Sequence, residues 1–393
     1  MRSTCPLCSS PRLSVCLERP RVPVFQNIRY DSPAAARTAA SGRLAITHCD
    51  QCGFVFNAAF DPTLAVYTPA YENDQTQSER FRAYLGEIGA GVLKAVRHQD
   101  EPVVLEVGCG QAAFLKQLAQ MQQARFSRFV GFDPAWRGGE TPSGLDVRPQ
   151  LFDSAVVAAL GTRIDAVISR HVIEHISEPL AFLHDIRDAI GARVQPKLML
   201  ETPCLEWIVD HDVLFDFFYE HCSYFTTDTL RYALARSGYR TLLAKHMFDG
   251  QYLWAEAEST PAAARSAAQP EPVGLGRRIR EMAQRGEARL DAWRAALAAQ
   301  RSRGTLALWG AGAKGTTLAA LADPDGSLID CLIDINPRKQ GGFTAVTAHP
   351  MVSPTEAAAR GVRAVVLMNP NYRAEVTDLI RAAQLPLTLI DGI

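Results

Sequence analysis

The chain has 393 residues, 47% of them hydrophobic, with 41 Lys plus Arg against 42 Asp plus Glu. That length supports two or three domains with cores of their own, and the balanced charge excludes a global electrostatic footprint for nucleic acid or a membrane surface. No apolar run reaches the length of a membrane span, and the polar start lacks the basic and apolar regions of a secretory signal, so a cytoplasmic chain with reduced thiols is expected.

Residues 1–65 are expected to form a zinc-binding module. Cys5 and Cys8 stand in CPLC, and Cys49 and Cys52 in CDQCG. Two CxxC knuckles present four thiolates to one tetrahedral ion, and four thiolates leave no open position, so structural zinc is expected. The 40 residues between the knuckles demand a looped-out insertion; 20–40 is polar and Pro- and Ala-containing, and carries no firm assignment. His48 beside the second knuckle reads as a surface histidine, not a ligand.

Residues 66–258 read as a cofactor-binding α/β domain. The segment 67–85 begins irregular and becomes helical, with Phe81, Tyr84, Leu85 and Ile88 on one face. VVLEVGCGQAAFL, at 103–115, is a buried-strand run ending in an acid and a glycine turn, followed by a helix over 112–121. Gly108 and Gly110 let the backbone turn beside a ligand, with Cys109 between them. Glu106 suits the cationic amino-acid part of S-adenosylmethionine, not the pyrophosphate that a GxGxxG loop cradles. A second strand, 129–132, ends at Phe132 and Asp133, 23 residues beyond Gly110, where a carboxylate meets ribose hydroxyls. Arg170 and His171 follow the strand 166–169 and are expected to line the cofactor pocket. His175 lies slightly further on, at the sheet edge where such folds hold ligands. The HxxxH pair also fits one helix face and could mimic a metal pair.

Residues 259–303 read as a linker, Ala-, Pro-, Ser- and Gly-rich over 260–276, and a docking helix over 277–301 with Ile279, Met282, Leu290, Trp293 and Leu297 inward. Its arginines are expected on a solvated face and not on nucleic acid. Residues 304–393 begin with a strand, GAGAKG at 310–315 and a helix, and a second strand ends at Asp334. This literal GxGxxG raises a competing reading, an NAD-dependent enzyme using this loop. About 90 residues make roughly one mononucleotide-binding half, so phosphate binding is the expectation.

The order of parts resembles the sugar C-methyltransferase family, the S-adenosylmethionine-dependent enzymes that have a zinc-binding N-terminal domain and methylate carbon 3 of nucleotide-linked keto-deoxysugars. The matching motifs are the knuckles, VLEVGCGQAAFL, SRHVIEHISEP at 169–179, FYEHCSYFT at 218–226, WGAGAKGTTL and DINPRKQGG at 334–342. The resemblance implies an α/β class I methyltransferase doubly wound sheet with an N-terminal zinc module and a C-terminal half-Rossmann domain. It implies catalytic residues Tyr71, His175, Glu220 and His221, with Glu220 and His221 nearest the base role. It also implies a substrate, possibly a nucleotide-linked sugar, at Gly312, Lys314, Asn336 and Lys339. Asn73 stands where the family has a second tyrosine, YEH replaces HEH, and Met368 replaces a tryptophan. Methylation of oxygen or nitrogen on another small metabolite is the alternative. A zinc-bearing interaction protein with a degenerate domain is a third reading, opposed by the intact Glu106, Gly108, Gly110 and Asp133. The oligomeric state is not legible.

Overall fold

The structure is a computed structural model, and it describes residues 1–121, 128–158, 160, 163–190, 196–260, 269–270 and 274–390. The N-terminal part is built on β1 (Leu13–Pro23), α1 (Pro33–Arg37), β2 (Ser41–Cys49) and β3 (Val55–Asn57). Ser32 caps α1 and Pro33 opens it, so the insertion between the knuckles turns in a defined way. β1 and β2 pair antiparallel with Leu13 opposite Cys49, which brings the second knuckle beside the first. Val55 of β3 pairs with Tyr224, so the fourth strand of this sheet, Ser223–Tyr224, comes from far along the chain. Arg2 also pairs with Glu178. A boundary at residue 65 therefore separates sequence, not hydrogen bonding.

The central domain opens with α2 (Glu79–Val96), capped by Ser78, which buries Phe81, Tyr84, Leu85 and Ile88. There follow β4 (Val103–Val107), α3 (Ala113–Met121), β5 (Arg128–Phe132), β6 (Leu145–Arg148), α4 (Ser154–Ala158), β7 (Ala166–Arg170) and α5 (Pro179–Ile190). β8 (Lys197–Pro203), α6 (Leu205–Asp210), β9 (Ser223–Tyr224), α7 (Thr227–Arg236), β10 (Tyr239–Met247) and β11 (Tyr252–Ser259) complete it. The sheet order is β10-β11-β8-β7-β4-β5-β6; β4 to β8 run parallel, and β11 lies antiparallel between β8 and β10. This is the doubly wound class I sheet expected from the motifs. Strand order reverses at β4, so the ends of β4 and β7 open a crevice.

α8 (Leu275–Arg301) leads to β12 (Thr305–Trp309), α9 (Ala313–Ala322), β13 (Cys331–Ile333), β14 (Gly342–Phe343), β15 (Pro350–Val352), α10 (Pro354–Ala359), β16 (Val362–Leu367), α11 (Arg373–Ala382) and β17 (Thr388–Ile390). Their sheet runs β14-β15-β13-β12-β16-β17, with five parallel strands and β14 antiparallel at the edge. That corrects the half-Rossmann expectation, because a mononucleotide half has three parallel strands and here the order reverses beside β12. The strands that the sequence did not announce, β14, β15 and β17, have only two or three residues, too short for a periodicity signal.

α8 buries Ile279, Met282, Leu290, Trp293 and Leu297. Arg278 pairs with Asp210, Arg285 and Arg289 with Asp212, and Arg301 with Asp330, so these arginines serve docking within the protein. His48 is buried against Gly276 of this helix and bonds Asp50, which corrects its surface assignment. The linker expected over 260–276 lies largely outside the described residues. Among the described residues no helix is long and apolar enough to cross a membrane.

Gly315 seats α9 against the loop before it: a Cβ there would stand 2.0 Å from the Gly310 carbonyl oxygen, which cannot swing away as a side chain can. Gly315→Ala is expected to destabilise the C-terminal domain by about 1–3 kcal/mol, the cost of overpacking. Denaturant unfolding of the full chain checks this, and an unchanged midpoint would refute it.

Candidate active site

β4 delivers Glu106 to the crevice. It is 2% exposed, and Oε2 has no hydrogen-bond partner among the described residues. Burial pushes the carboxyl up to about 8, although Arg170 nearby pulls the other way. Gly108 has φ of +73°, and a Cβ there would meet Val172 Cγ2 at 2.2 Å, so the turn requires glycine. The Phe132 carbonyl accepts from Gly108 N at 2.8 Å and Cys109 N at 3.2 Å, while the Phe132 ring is buried in the core. Asp133 Oδ2 accepts from Gly110 N at 2.7 Å and Oδ1 from Ala135 N at 2.7 Å. Asp133 thus ties the glycine turn to the next strand before any ligand is considered. Arg170 Nε donates to Glu201 Oε2 at 2.6 Å, and Tyr84 donates to the other oxygen of that fully buried carboxylate. An orphaned buried carboxylate oxygen beside this loop fits the ammonium of S-adenosylmethionine.

The second glycine loop repeats the first. Gly310 N donates to the Ile333 carbonyl at 2.8 Å, and Ala311 N donates to Asp334 Oδ2 at 3.1 Å across the same separation of 23 residues. Here Lys339, 7% exposed, covers the loop, donating to Asn27 Oδ1 at 3.1 Å and the Ala311 carbonyl at 3.3 Å. Lys314 pairs with Asp216 and stands 5.2 Å over the Trp207 ring. Asn336 turns elsewhere, donating to Glu72 Oε1 at 3.0 Å.

A cleft of about 260 Å³ lies between the central and C-terminal domains, lined among others by Tyr71, His171, His175, His221, Gly312 and Lys314. At its wall Glu220 is fully enclosed. Oε2 accepts from the Tyr71 hydroxyl at 2.7 Å and the Tyr67 hydroxyl at 3.3 Å, and Oε1 from Gln26 N at 3.2 Å. Burial raises its pKa against the attraction of His175. His175 Nδ1 lies 2.7 Å from the Tyr67 hydroxyl, 3.0 Å from the Glu220 carbonyl oxygen and 3.8 Å from Oε2. Burial, then the Glu220 charge, holds both phenols well above the usual tyrosine range, so they stay protonated. The His221 ring packs 4.1 Å from Phe218 and 4.7 Å from His175. Burial, then the charges of His175, His171 and Lys314, holds His221 well below the usual histidine range, leaving a neutral imidazole.

Glu220 and His221 lie on irregular backbone, 217–222, and both meet His175, Glu220 Oε2 at 3.8 Å from Nδ1 and the His221 ring at 4.7 Å between centroids. Tyr71 gives its hydroxyl hydrogen to Glu220, so serving an oxyanion requires exchanging that partner. Tyr67, Gln26 and Asn27 were missed: Tyr67 repeats Tyr71 at four residues' distance, a signal that was available, whereas Gln26 and Asn27 lie in the unassigned insertion. Buried Glu174 forms a possible metal-holding group with His175 and His221, whereas His171, the first histidine of HxxxH, stays outside it and lies 3.3 Å from Glu174 Oε1. Away from the cleft, the sulfurs of Cys5 and Cys52 lie 3.6 Å apart and those of Cys8 and Cys49 3.5 Å apart. Those spacings suit thiolates sharing one tetrahedral ion.

Residues 77–244 match the family model described as a methyltransferase domain, and 277–384 match a C-methyltransferase C-terminal domain. The C-methyltransferase NovU of Streptomyces niveus is 27% identical over 298 residues, covering 71% of this chain and 69% of that protein. The ubiquinone biosynthesis O-methyltransferase of Parvibaculum lavamentivorans is 29% identical over 98 residues, 23% of this chain and 37% of its own. Among solved structures, the CurJ carbon methyltransferase is 14% identical, with 52% of this chain and 62% of that one covered at a TM-score of 0.36. The chain is an S-adenosylmethionine-dependent methyltransferase. Its similarity to C-methyltransferases extends beyond the cofactor domain into the C-terminal one.

The raised Glu106 carboxyl makes the ligand-free fold sensitive to pH. The folded state holds this proton up to about pH 8, the unfolded state only to about 4.3, so stability falls as pH rises between them. Glu106→Gln is expected to gain stability relative to the parent at pH 8.5 and little at pH 5. Thermal melts at both values check this; equal differences would place the proton elsewhere.

Proposed function

We propose that this enzyme C-methylates a nucleotide-linked keto sugar or related small metabolite through a base-generated enolate. The observation that carries the reading is a half-buried His221, its pKa held low, on the cleft that also receives the second glycine loop. A carbon acceptor must lose a proton beside a ketone, and an imidazole without charge is ready to take it. His221 takes that proton. His175, whose Nδ1 accepts from the Tyr67 hydroxyl, directs its Nε2–H to the developing oxyanion. Glu220, enclosed and accepting from the Tyr71 hydroxyl and Gln26 N, is given the anchoring role. Lys314, Lys339 and the turn at Gly312 supply cations and backbone amides near the cleft for a diphosphate, with Asn336 at the same loop cluster.

When bound, the sulfonium of S-adenosylmethionine supplies the methyl group. Glu106 would hold its ammonium and Asp133 its ribose, around Gly108, Cys109 and Gly110, with Phe132, Arg170 and His171 behind the pocket. An O- or N-methyl transfer could use the same base. It would not need an enolate, and that difference makes the test.

In heavy water, a nucleotide-linked keto sugar is expected to exchange the hydrogen next to its ketone when the demethylated cofactor is bound. His221→Ala is expected to abolish the exchange and lower turnover about 100-fold or more, leaving cofactor affinity nearly unchanged. Methylation without any exchange-competent hydrogen, or full turnover in the variant, would overturn the reading.

We also propose that Cys5, Cys8, Cys49 and Cys52 hold one structural zinc. Its closed coordination assigns it to folding, not chemistry. A strong chelator is expected to extract one zinc per chain and to unfold the β1–β2 region, read by amide exchange. Loss of zinc with unchanged exchange there would remove its structural role.

A further inference from the structure

A second cluster of metal-ligating side chains lies outside the cleft, where the short helix α6 meets the edge strand β10. Cys204 Sγ stands 3.2 Å from Glu206 Oε2 and 3.9 Å from His246 Nε2, and one ligand atom from each residue lies within 4.8 Å of the others. Donor atoms on a tetrahedral ion with bonds of about 2.0–2.3 Å stand about 3.3–3.8 Å apart, so this spacing needs only small adjustments. The donors are a sulfur, a carboxylate oxygen and an imidazole nitrogen, the set that zinc-class ions take and magnesium-class ions refuse. They come from two elements. Cys204 is fully buried while His246 is exposed, so an ion would enter from the β10 side and keep a fourth position for water.

We propose that Cys204, Glu206 and His246 form a second metal site, binding one divalent transition ion of the zinc class. As the sulfur–metal bond forms, the S–H bond breaks and its proton leaves to solvent. Glu206 Oε1 keeps its bond from Thr227 N at 2.7 Å, and Thr227 Oγ1, 3.2 Å from His246 Nε2, yields that nitrogen to the ion. The ion braces α6 against β10. That brace reaches the cleft: Pro203 and Trp207 on either side of the cluster line it, and Cys204 N is bonded to the carbonyl of Gln251, another lining residue.

The bland account of Cys204 is that it caps α6, since Sγ accepts from Trp207 N at 3.3 Å. Cys204→Ser separates the two accounts, because serine is a stronger cap and a much poorer zinc ligand. The purified full chain is titrated with cobalt(II) as probe, following thiolate-to-cobalt charge-transfer absorption and bound cobalt per chain. The parent is expected to bind one more equivalent than Cys204→Ser or His246→Ala, with additional charge-transfer absorption that the serine variant lacks. Equal uptake by the parent and both variants, each with an unchanged melting temperature, would overturn the site. The comparison is a difference between variants, so it stands whether or not the cysteine knuckles hold zinc.

Discussion

Burying the Glu220 carboxylate is the constraint on which the active site depends. A charge removed from water must be met by donors, and a lone carboxylate with its partners deleted would cost more than the contacts around it return. Glu220 recruits those donors from separate parts of the chain: the Gln26 amide from the N-terminal insertion and the hydroxyls of Tyr67 and Tyr71 from the strap before α2. His175 then docks on Tyr67 and on the Glu220 carbonyl. Under the proposed assignment Glu220 anchors. Its neighbour His221 lies among the rings of Phe218 and His175, its pKa held low.

The strap is held in turn by Glu72. One of its oxygens accepts from Arg137, four residues beyond Asp133, and the other from Asn336, two residues beyond Asp334. A single buried carboxylate thus connects the turns that follow the two glycine loops, with Tyr71 next to it in sequence. Ser78 and Glu79, at the head of α2, are bound by Glu375 of α11, so the strap is clamped at its far end as well. The geometry of the phenols is therefore inherited from both glycine-loop domains at once.

Those two loops show how similar backbones acquire different duties. Each has a strand, a glycine turn, a helix and an aspartate that takes an amide hydrogen from the turn. The first leaves a buried glutamate oxygen without a partner; the second is covered by a lysine ammonium. One environment asks for a cation and the other supplies one. Domain-level resemblance would not separate them, whereas the charge at each loop does.

The local signals were legible in the sequence because they are dictated locally: a β-branched run with glycines and an acid for the cofactor loop, paired cysteines for the knuckles, and helical spacing for α2 and α8. The strands β14, β15 and β17 of the C-terminal sheet were not legible, since two or three residues hold no period, and the domain therefore looked like half of what it is. The pairing of Glu220 with His175, the strand that Ser223 and Tyr224 lend to the N-terminal sheet, and the arrival of Gln26 and Asn27 at the cleft depend on contacts between residues far apart in the chain. Sequence by itself determined which chemistry was available, because residue types and spacings set what each segment can bind. Only the tertiary structure decided how deeply each candidate is enclosed and which groups surround it, because burial and donor supply arise from segments that meet only in the fold.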